Sequence, residues 1–205
     1  MIINPNDLSP KDRYKILIGT VLPRPIAWVS TMDGQRRLNL APFSYFNGVC
    51  NTPLTLMFSV GLPSTGEKKD TLRNIEETGE FVINLPNEET VEQMNLSATE
   101  LPYGESEFEW AGVTSEPSQS IRVPRVAEAP VAFECTLNQI VTISDQPGGG
   151  SAIFGEVQHI YIRDDIYVDS YVLLDVLKPV GRMSGNTYTR TNDRFDLARV
   201  PQAKK

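Results

Sequence analysis

A short segment of the sequence, Lys69-Asp70-Thr71, has the residue types that bind an anion at the start of a helix. The pattern that follows predicts a helix that continues through Thr78 and stops at Gly79. The free N–H groups and the dipole of a helix N-terminus attract phosphate, and Lys69 and Thr71 add a charge and a hydroxyl donor. Asp70 would repel a phosphate, so we expect it to be the N-cap. A solvated lysine pair beside an ordinary capped helix is the alternative interpretation.

A second segment could hold a flat polar ring. Leu38 to Ser44 is predicted to be a strand, and Pro42 within it removes one backbone donor. We therefore expect the chain to leave regular pairing at Pro42, which would expose main-chain N–H and C=O groups suited to the polar edge of a heterocycle. An edge strand with a bulge explains this segment equally well. The preceding segment, Arg24 to Thr31, is by itself a plain strand with an aromatic core residue, Trp28.

His159, the only histidine, is a further candidate for chemistry. One histidine cannot form a multi-histidine metal site, and no GxSxG motif accompanies it, so we predict neither a metal centre nor a hydrolase triad. His159 alternates with Val157 and Tyr161 along a predicted strand, so we expect it to line a pocket without being an essential proton donor. The glycine run at 148–150 belongs to no Walker or GxGxxG motif and is better explained as a hairpin tip.

Composition restricts the classes of function. A length of 205 residues suits one domain. The net charge of −7, with no long block of either sign, argues against general binding to nucleic acid or to anionic membranes. Cys50 and Cys135 form no CxxC motif, which favours buried thiols over a disulfide framework or a zinc site. We find no signal peptide and no apolar run of membrane-spanning length, and therefore expect a cytoplasmic protein.

The helices that could position these segments are short. Ser9, with Asp12 three residues later, marks the start of one helix that is expected to end near Gly19. Residues 87–98 are predicted to form a second short helix. Ser106 to Glu109 has the pattern of a capping box over another one.

Strand-type segments make up most of the remaining chain. Residues 131–144 and 151–163 are predicted to form one long hairpin. The tail from Lys178 is polar and has little core character. Many strands with only short helices between them favour a β-barrel with peripheral helices over a βαβ sheet.

The order of four segments carries a family resemblance. Arg24–Thr31, Asn39–Ser44, Lys69–Thr71 and Gly181–Tyr188 follow one another as in flavin reductase-like, FMN-binding split-barrel proteins, which include flavoredoxins. The chain resembles this family from about residue 16 to residue 198. The resemblance implies a mainly β fold, a Greek-key split β-barrel with peripheral short helices, formed by a single domain over residues 1–205.

The resemblance also implies a cofactor, a partner and a set of contacts. The cofactor is FMN, bound at or near the interface of a homodimer. Trp28 and its strand would lie along the flavin, residues 39–44 would contact the ring and ribityl chain, residues 69–71 would hold the phosphate, and the C-terminal motif would complete the site. The implied cofactor-binding residues are Trp28, Ser30, Thr31, Asn39, Leu40, Ala41, Pro42, Phe43, Ser44, Lys69, Asp70, Thr71, Arg182 and Tyr188.

The activity implied by the resemblance is NAD(P)H-dependent flavin reduction through bound FMN. A reduced nicotinamide passes hydride to the flavin, so no catalytic residue of the chain is predicted. Two alternatives remain open. The protein could be a flavoredoxin-like electron carrier with little turnover of NAD(P)H, or a barrel that binds a small molecule without redox chemistry.

Overall fold

In the computed structural model, which describes residues 1–200, an antiparallel sheet is surrounded by short helices. The helices are α1 Pro10–Thr20, α2 Asp70–Thr78, α3 Val91–Leu96, α4 Glu107–Ala111 and α5 Leu174–Leu177, with single 3-10 turns at Pro5–Asp7 and Asp164–Ile166. The strands are β1 Ala27–Met32, β2 Leu38–Phe43, β3 Phe46–Asn51, β4 Leu54–Gly61, β5 Glu80–Leu85, β6 Ser115–Glu116, β7 Arg125–Val126, β8 Val131–Ser144, β9 Gly150–Ile162, β10 Tyr167–Val168, β11 Tyr171–Val172, β12 Val180–Arg182 and β13 Tyr188–Arg190. Over this range none of the helices has the length and apolarity needed to cross a membrane.

Seven strands form the main sheet in the order β2-β1-β5-β8-β9-β4-β3. Its two edge strands, β2 and β3, are consecutive in the chain and are separated only by Ser44 and Tyr45. Strands lie about 4.8 Å apart, so the edges of a flat seven-stranded sheet would be about 29 Å apart. The connection from Phe43 to Phe46 spans at most about 11 Å. The sheet must therefore curl until its edges are neighbours, although β2 and β3 do not pair with each other within the described residues.

The inside of this curled sheet is apolar. Phe58 packs against Phe43 and Phe81, with ring centroids 5.2 and 5.6 Å apart. The buried members of this core are Ala27, Val29, Phe43, Leu56, Phe58, Val60, Leu72, Ile75, Phe81, Ile83, Cys135 and Ile153. Because α2 contributes Leu72 and Ile75, it closes one end of the interior and its first turn is held in a fixed place.

The outer face of β1 and β2 is covered by the helices α3 and α4. Trp28 lies on this face, is fully buried, and packs with Leu40, Met94 and Phe108. Its indole Nε1–H donates to the Ser97 hydroxyl at 2.8 Å, so the polar atom of the ring is satisfied. Strand β2 therefore packs against the interior core on one face and against α3 and α4 on the other.

Two of the predicted helix ends are confirmed, whereas the helix predicted over residues 87–98 is the shorter α3 Val91–Leu96. Ser9 is the N-cap of α1, and its hydroxyl accepts the Asp12 N–H at 3.2 Å. Helix α2 ends at Gly79, whose φ of 69° is in the left-handed region that glycine adopts without strain. The prediction that Asp70 is the N-cap is wrong, because Lys69 occupies that position and Asp70 is already helical.

Strand β2 does not leave regular pairing at Pro42, which corrects the first of the two interpretations of this segment. Pro42 lies opposite Trp28 in an unbroken ladder that continues to Phe43. The Leu40 N–H points away from β1, since it donates to a side chain outside the sheet. Residues two positions apart on a strand point their N–H groups the same way, so the donor that Pro42 lacks would face the free edge. The edge-strand interpretation is correct, without a bulge.

The C-terminal segment has more core character than expected. It forms the hairpin β12-β13, and Val180 is buried with Tyr188 against the same cluster as Trp28. The long hairpin of β8 and β9 forms as predicted, with irregularities of register that include one between Glu134 and Cys135.

Gly155→Ala should destabilise the protein. A Cβ at this position would overlap the Phe81 ring and lie 3.1 Å from Cys135 Cβ. Overpacking of this kind costs about 1–3 kcal/mol, to be measured as the free energy of unfolding in urea. The control is Gly19→Ala inside α1, where a Cβ has nothing within 4 Å and the change should be neutral or stabilising. Equal stability of both variants would contradict the close packing described for the interior.

Candidate functional site

A cleft of about 630 Å³ lies beside the seam between β2 and β3. Its walls are the end of α1 with Tyr14 and Ile18, the link of Ser44 and Tyr45, the end of α3, and the hairpin β12-β13. Cavities of about 300–1,000 Å³ bind cofactors and other small molecules. The cleft is therefore the best candidate in the described chain for a small-molecule site.

Six of the fourteen predicted contact residues line this cleft. They come from three segments that are far apart in the sequence: the end of β2, the N-cap of α2 and the C-terminal hairpin. They are Pro42, Phe43, Ser44, Lys69, Arg182 and Tyr188. The fold thus brings together one part of each of three motifs.

The residues predicted from β1 do not line the cleft. Trp28, Ser30 and Thr31 have no exposed surface in the single chain. The Ser30 hydroxyl donates to the Pro124 carbonyl at 2.7 Å, and Thr31 Oγ1 accepts from Asn74 Nδ2 at 3.1 Å. These side chains are inaccessible because β1 lies between β2 and β5 and is covered on both faces.

Asn39 and Thr71 are buried as well, but they connect β2 to the first turn of α2. Asn39 Nδ2 donates to Thr71 Oγ1 at 3.0 Å and to Thr31 Oγ1 at 3.2 Å. Leu40 is fully buried, and Ala41 packs against the interior core. This network positions the start of α2 relative to the edge strand without contacting the cleft itself.

The start of α2 presents free donors next to the cleft. The first hydrogen bond of the helix runs from the Arg73 N–H to the Lys69 carbonyl at 3.1 Å, which leaves the N–H groups of residues 70–72 without an acceptor inside the helix. Asp70 does not line the cleft, and its carboxylate pairs with Arg73 at 2.9 Å. Burial raises the pKa of Asp70 in spite of that partner.

A buried carboxylate, Glu107, occupies the free edge of β2. The capping box predicted for α4 does not form, since the Ser106 hydroxyl makes no capping bond. Instead Glu107 Oε2 accepts the Leu40 N–H at 2.9 Å. Burial raises the pKa of Glu107, and the bond from Leu40 opposes that rise. The Leu40 N–H is therefore already used within the chain and is not free to bind a ring.

The cleft is positively charged although the protein is acidic. Arg24, Lys69 and Arg182 line it, against one acidic residue, Glu100. None of these three basic side chains forms an ion pair within residues 1–200, whereas nine other basic side chains in that range do. Cationic groups left without a carboxylate partner favour an anionic ligand.

Aromatic side chains supply flat surfaces at the same place. The Arg182 guanidinium lies 4.5 Å from the centroid of the Tyr188 ring, and the Tyr188 hydroxyl donates to Asn95 Oδ1 at 3.0 Å. Burial raises the pKa of Tyr45, so its hydroxyl stays protonated at neutral pH. The wall formed by α1 was missed from the sequence, since its residues were identified only as a helix. Tyr45 could have been included, because it directly follows the predicted Ser44.

His159 is exposed and is not among the residues that line the cleft, so the expectation that it lines this pocket is wrong for the single chain. The predicted alternation of His159 with Val157 is also broken by a β-bulge. Glu134 pairs with His159 but Cys135 pairs with Val157, so Gln158 is an extra residue. Val157 therefore packs against the interior core while Tyr161 packs against a cluster on the other face.

The comparisons with known proteins agree with this architecture. The family model described as "Flavin reductase like domain" matches residues 18–175. Nitrilotriacetate monooxygenase component B from Bacillus cereus is 37% identical, with a TM-score of 0.92 over 96% of this chain and 98% of that one. The 2-nitrobenzoate 2-nitroreductase NbaA of Pseudomonas fluorescens is 35% identical, with a TM-score of 0.88 over 98% of this chain and 97% of that one.

A third solved structure supports the fold alone. It is a protein from Shewanella frigidimarina assigned as a flavin reductase with a split barrel domain. It is 23% identical to this chain, with a TM-score of 0.81 over 99% of this chain and all of that one. The split barrel expected from the sequence is thus the architecture of a structural neighbour.

Proposed function

This chain belongs to the flavin reductase-like domain family, and from that membership we propose that it is an oxidoreductase that binds FMN and accepts electrons from NAD(P)H. The observation that carries the proposal is the charge of the cleft. Its three basic side chains have no carboxylate partner in the described chain, and aromatic rings lie beside them. An anionic phosphate joined to a flat ring system has the chemistry that this combination binds.

The residues of the cleft fit FMN in size and in polarity. A volume of about 630 Å³ lies within the range of cofactor sites. Lys69 and the free N–H groups at the start of α2 would hold the phosphate. Phe43 and Tyr45 would border the ring, together with backbone groups of residues 42–44. FMN is preferred to FAD because the sequence has no second, Rossmann-type phosphate loop.

The chain supplies position and electrostatics rather than a reacting group. A bound flavin supplies the hydride-accepting chemistry at its N5 atom. Ser44 and Tyr45 form the wall at the seam, where the backbone is held by the bond from the Ser59 N–H to the Tyr45 carbonyl at 2.8 Å. Lys69 and Arg182 would raise the local concentration of an anionic dinucleotide, which the net charge of the protein repels. No acid or nucleophile of the chain is required.

A cytoplasmic homodimer is part of the same proposal. Helix α1 has no buried residue in the single chain, and it exposes Tyr14 and Leu17 to 57% and 46%. An apolar helix face of this kind is better covered, and the helix also forms one wall of the cleft. A second copy of the chain would cover it under two-fold symmetry.

The proposed function is tested by the absorbance of the purified protein. It should carry the visible spectrum of oxidised flavin, the released cofactor should have the mass of FMN, and anaerobic NADH or NADPH should bleach the spectrum rapidly. A colourless protein that does not bind added FMN would contradict flavin binding. Bound FMN that bleaches only slowly would indicate an electron carrier, and release of FAD alone would overturn the choice of cofactor.

Light scattering should give the mass of a dimer at micromolar concentration. The expected interface includes α1, so a charged substitution such as Leu17→Glu should shift the protein towards monomer. Lys11→Gln, on the same helix, lowers the net charge by the same one unit and is the control for the change in charge. A wild-type monomer with FMN still tightly bound would contradict the proposed dimer.

Lys69→Ala should weaken FMN binding by about 1–3 kcal/mol, the scale of a charge-assisted hydrogen bond. Riboflavin affinity should hardly change, because riboflavin has no phosphate. The matched control is Lys68→Ala, since the Lys68 ammonium is already paired with Glu76 at 2.7 Å. Fluorescence titration of the wild type and the two variants with both flavins measures the affinities to be compared. An equal loss for FMN and riboflavin in Lys69→Ala would show that Lys69 does not bind the phosphate.

A further inference from the structure

Arg24 is a buried cation at the edge of the cleft. It is 5% exposed, and its guanidinium donates four hydrogen bonds. Nη1 donates to the carbonyls of Ile18 and Val21 at 2.9 and 3.0 Å. Nε donates to Ser44 Oγ at 3.2 Å, and Nη2 donates to the Met183 carbonyl at 2.9 Å. All four acceptors are neutral.

A buried charge without a counter-ion costs desolvation free energy. Desolvation of a cation is offset only when its donors are satisfied, and the four bonds use four of the five N–H groups of the guanidinium. Lysine could not replace this arrangement, because an ammonium has three donors on one atom and cannot reach acceptors that surround a planar fork. The geometry therefore requires arginine specifically.

The four acceptors belong to three different walls of the cleft. Ile18 and Val21 are at the end of α1, Ser44 is in the link at the seam, and Met183 follows β12. The backbone of Arg24 adds to the connection. Its N–H donates to the Arg182 carbonyl at 3.0 Å, and the Arg182 N–H donates to the Arg24 carbonyl at 2.8 Å. One residue thus connects walls that are distant in sequence, since Arg24 and Met183 are 159 positions apart.

We propose that Arg24 is a positioning residue that fixes the separation of these three walls and thereby the width of the ring-binding part of the cleft. That the cleft binds a flavin ring rests on the proposed function, whereas the connection that the Arg24 hydrogen bonds make between the walls does not. Arg24 acts through the walls and not on the phosphate. Losing its four side-chain bonds while keeping its charge should therefore weaken the binding of FMN and riboflavin by the same factor, in contrast to the loss of Lys69.

The test is Arg24→Lys, which keeps the charge and removes the fork. Hydrogen exchange of the protein without ligand should become about tenfold faster for the amides of Arg182 and Val21, as expected when one or two hydrogen bonds are lost. The Leu173 amide, which donates to the Ile166 carbonyl at 2.8 Å away from the cleft, should keep its rate, because it can open locally without breaking a bond of Arg24. FMN and riboflavin affinities should both fall about tenfold. The control is Arg190→Lys, which changes an exposed arginine of the same hairpin that pairs with Glu88.

Three results would overturn the proposal. Unchanged exchange of the wall amides would show that Arg24 does not hold them, and equal acceleration of the Leu173 amide would show that the effect of Arg24 is not confined to the walls. A loss of FMN affinity alone would make it a phosphate ligand. If the wild type binds neither flavin, the proposed function fails, while the exchange data still decide whether Arg24 ties the walls.

A measurement on the wild type covers the case in which the variant does not fold. In native-state exchange with low urea, the amides of Val21 and Arg182 should open in a single step with the same dependence on urea, because the Arg24 side chain donates to the carbonyls of Val21 and Met183 and so joins the two walls. Opening of one of these two amides at clearly lower urea than the other would show that the tie is absent.

Discussion

The shortness of the connection between β2 and β3 is the constraint on which the rest of the structure depends. Two residues, Ser44 and Tyr45, join the opposite edges of a seven-stranded sheet. The sheet can satisfy that length only by curling around the Phe58 core, which leaves a seam instead of a continuous ladder. Backbone groups at the seam are therefore not paired between β2 and β3. The candidate site lies there for this reason, and not at the end of a parallel sheet.

Charge distribution decides what the seam can bind. The protein carries a net charge of −7, and nine basic side chains of residues 1–200 are neutralised by carboxylates. The three basic residues of the cleft are not among them. Arg24 is held entirely by neutral acceptors, so its bonds organise the walls without cancelling its charge. The same residue can therefore contribute both to the shape of the cleft and to its positive potential.

Local sequence was sufficient for features that depend on a few neighbouring residues. The cap at Ser9, the stop at Gly79 and the long hairpin of β8 and β9 follow from short-range preferences, and each is present. The family was also accessible, because it depends on the order of motifs and not on their contacts. The cap at Asp70 was misplaced by one residue, since Lys69 adopts the extended N-cap conformation without a side-chain bond.

Which motif residues face a ligand was decided by tertiary packing. Trp28 and Pro42 are partners in one ladder and share a face, yet only Pro42 lines the cleft, because β2 is an edge strand whereas β1 lies between β2 and β5. A single bulged residue, Gln158, moved His159 away from the face occupied by Val157. Period-two patterns predict a side chain's face only while the register is unbroken, and no local pattern shows what packs on that face. The order of the motifs could therefore be recognised from the sequence alone. Which residues line the cleft was decided by contacts between residues that are distant in sequence.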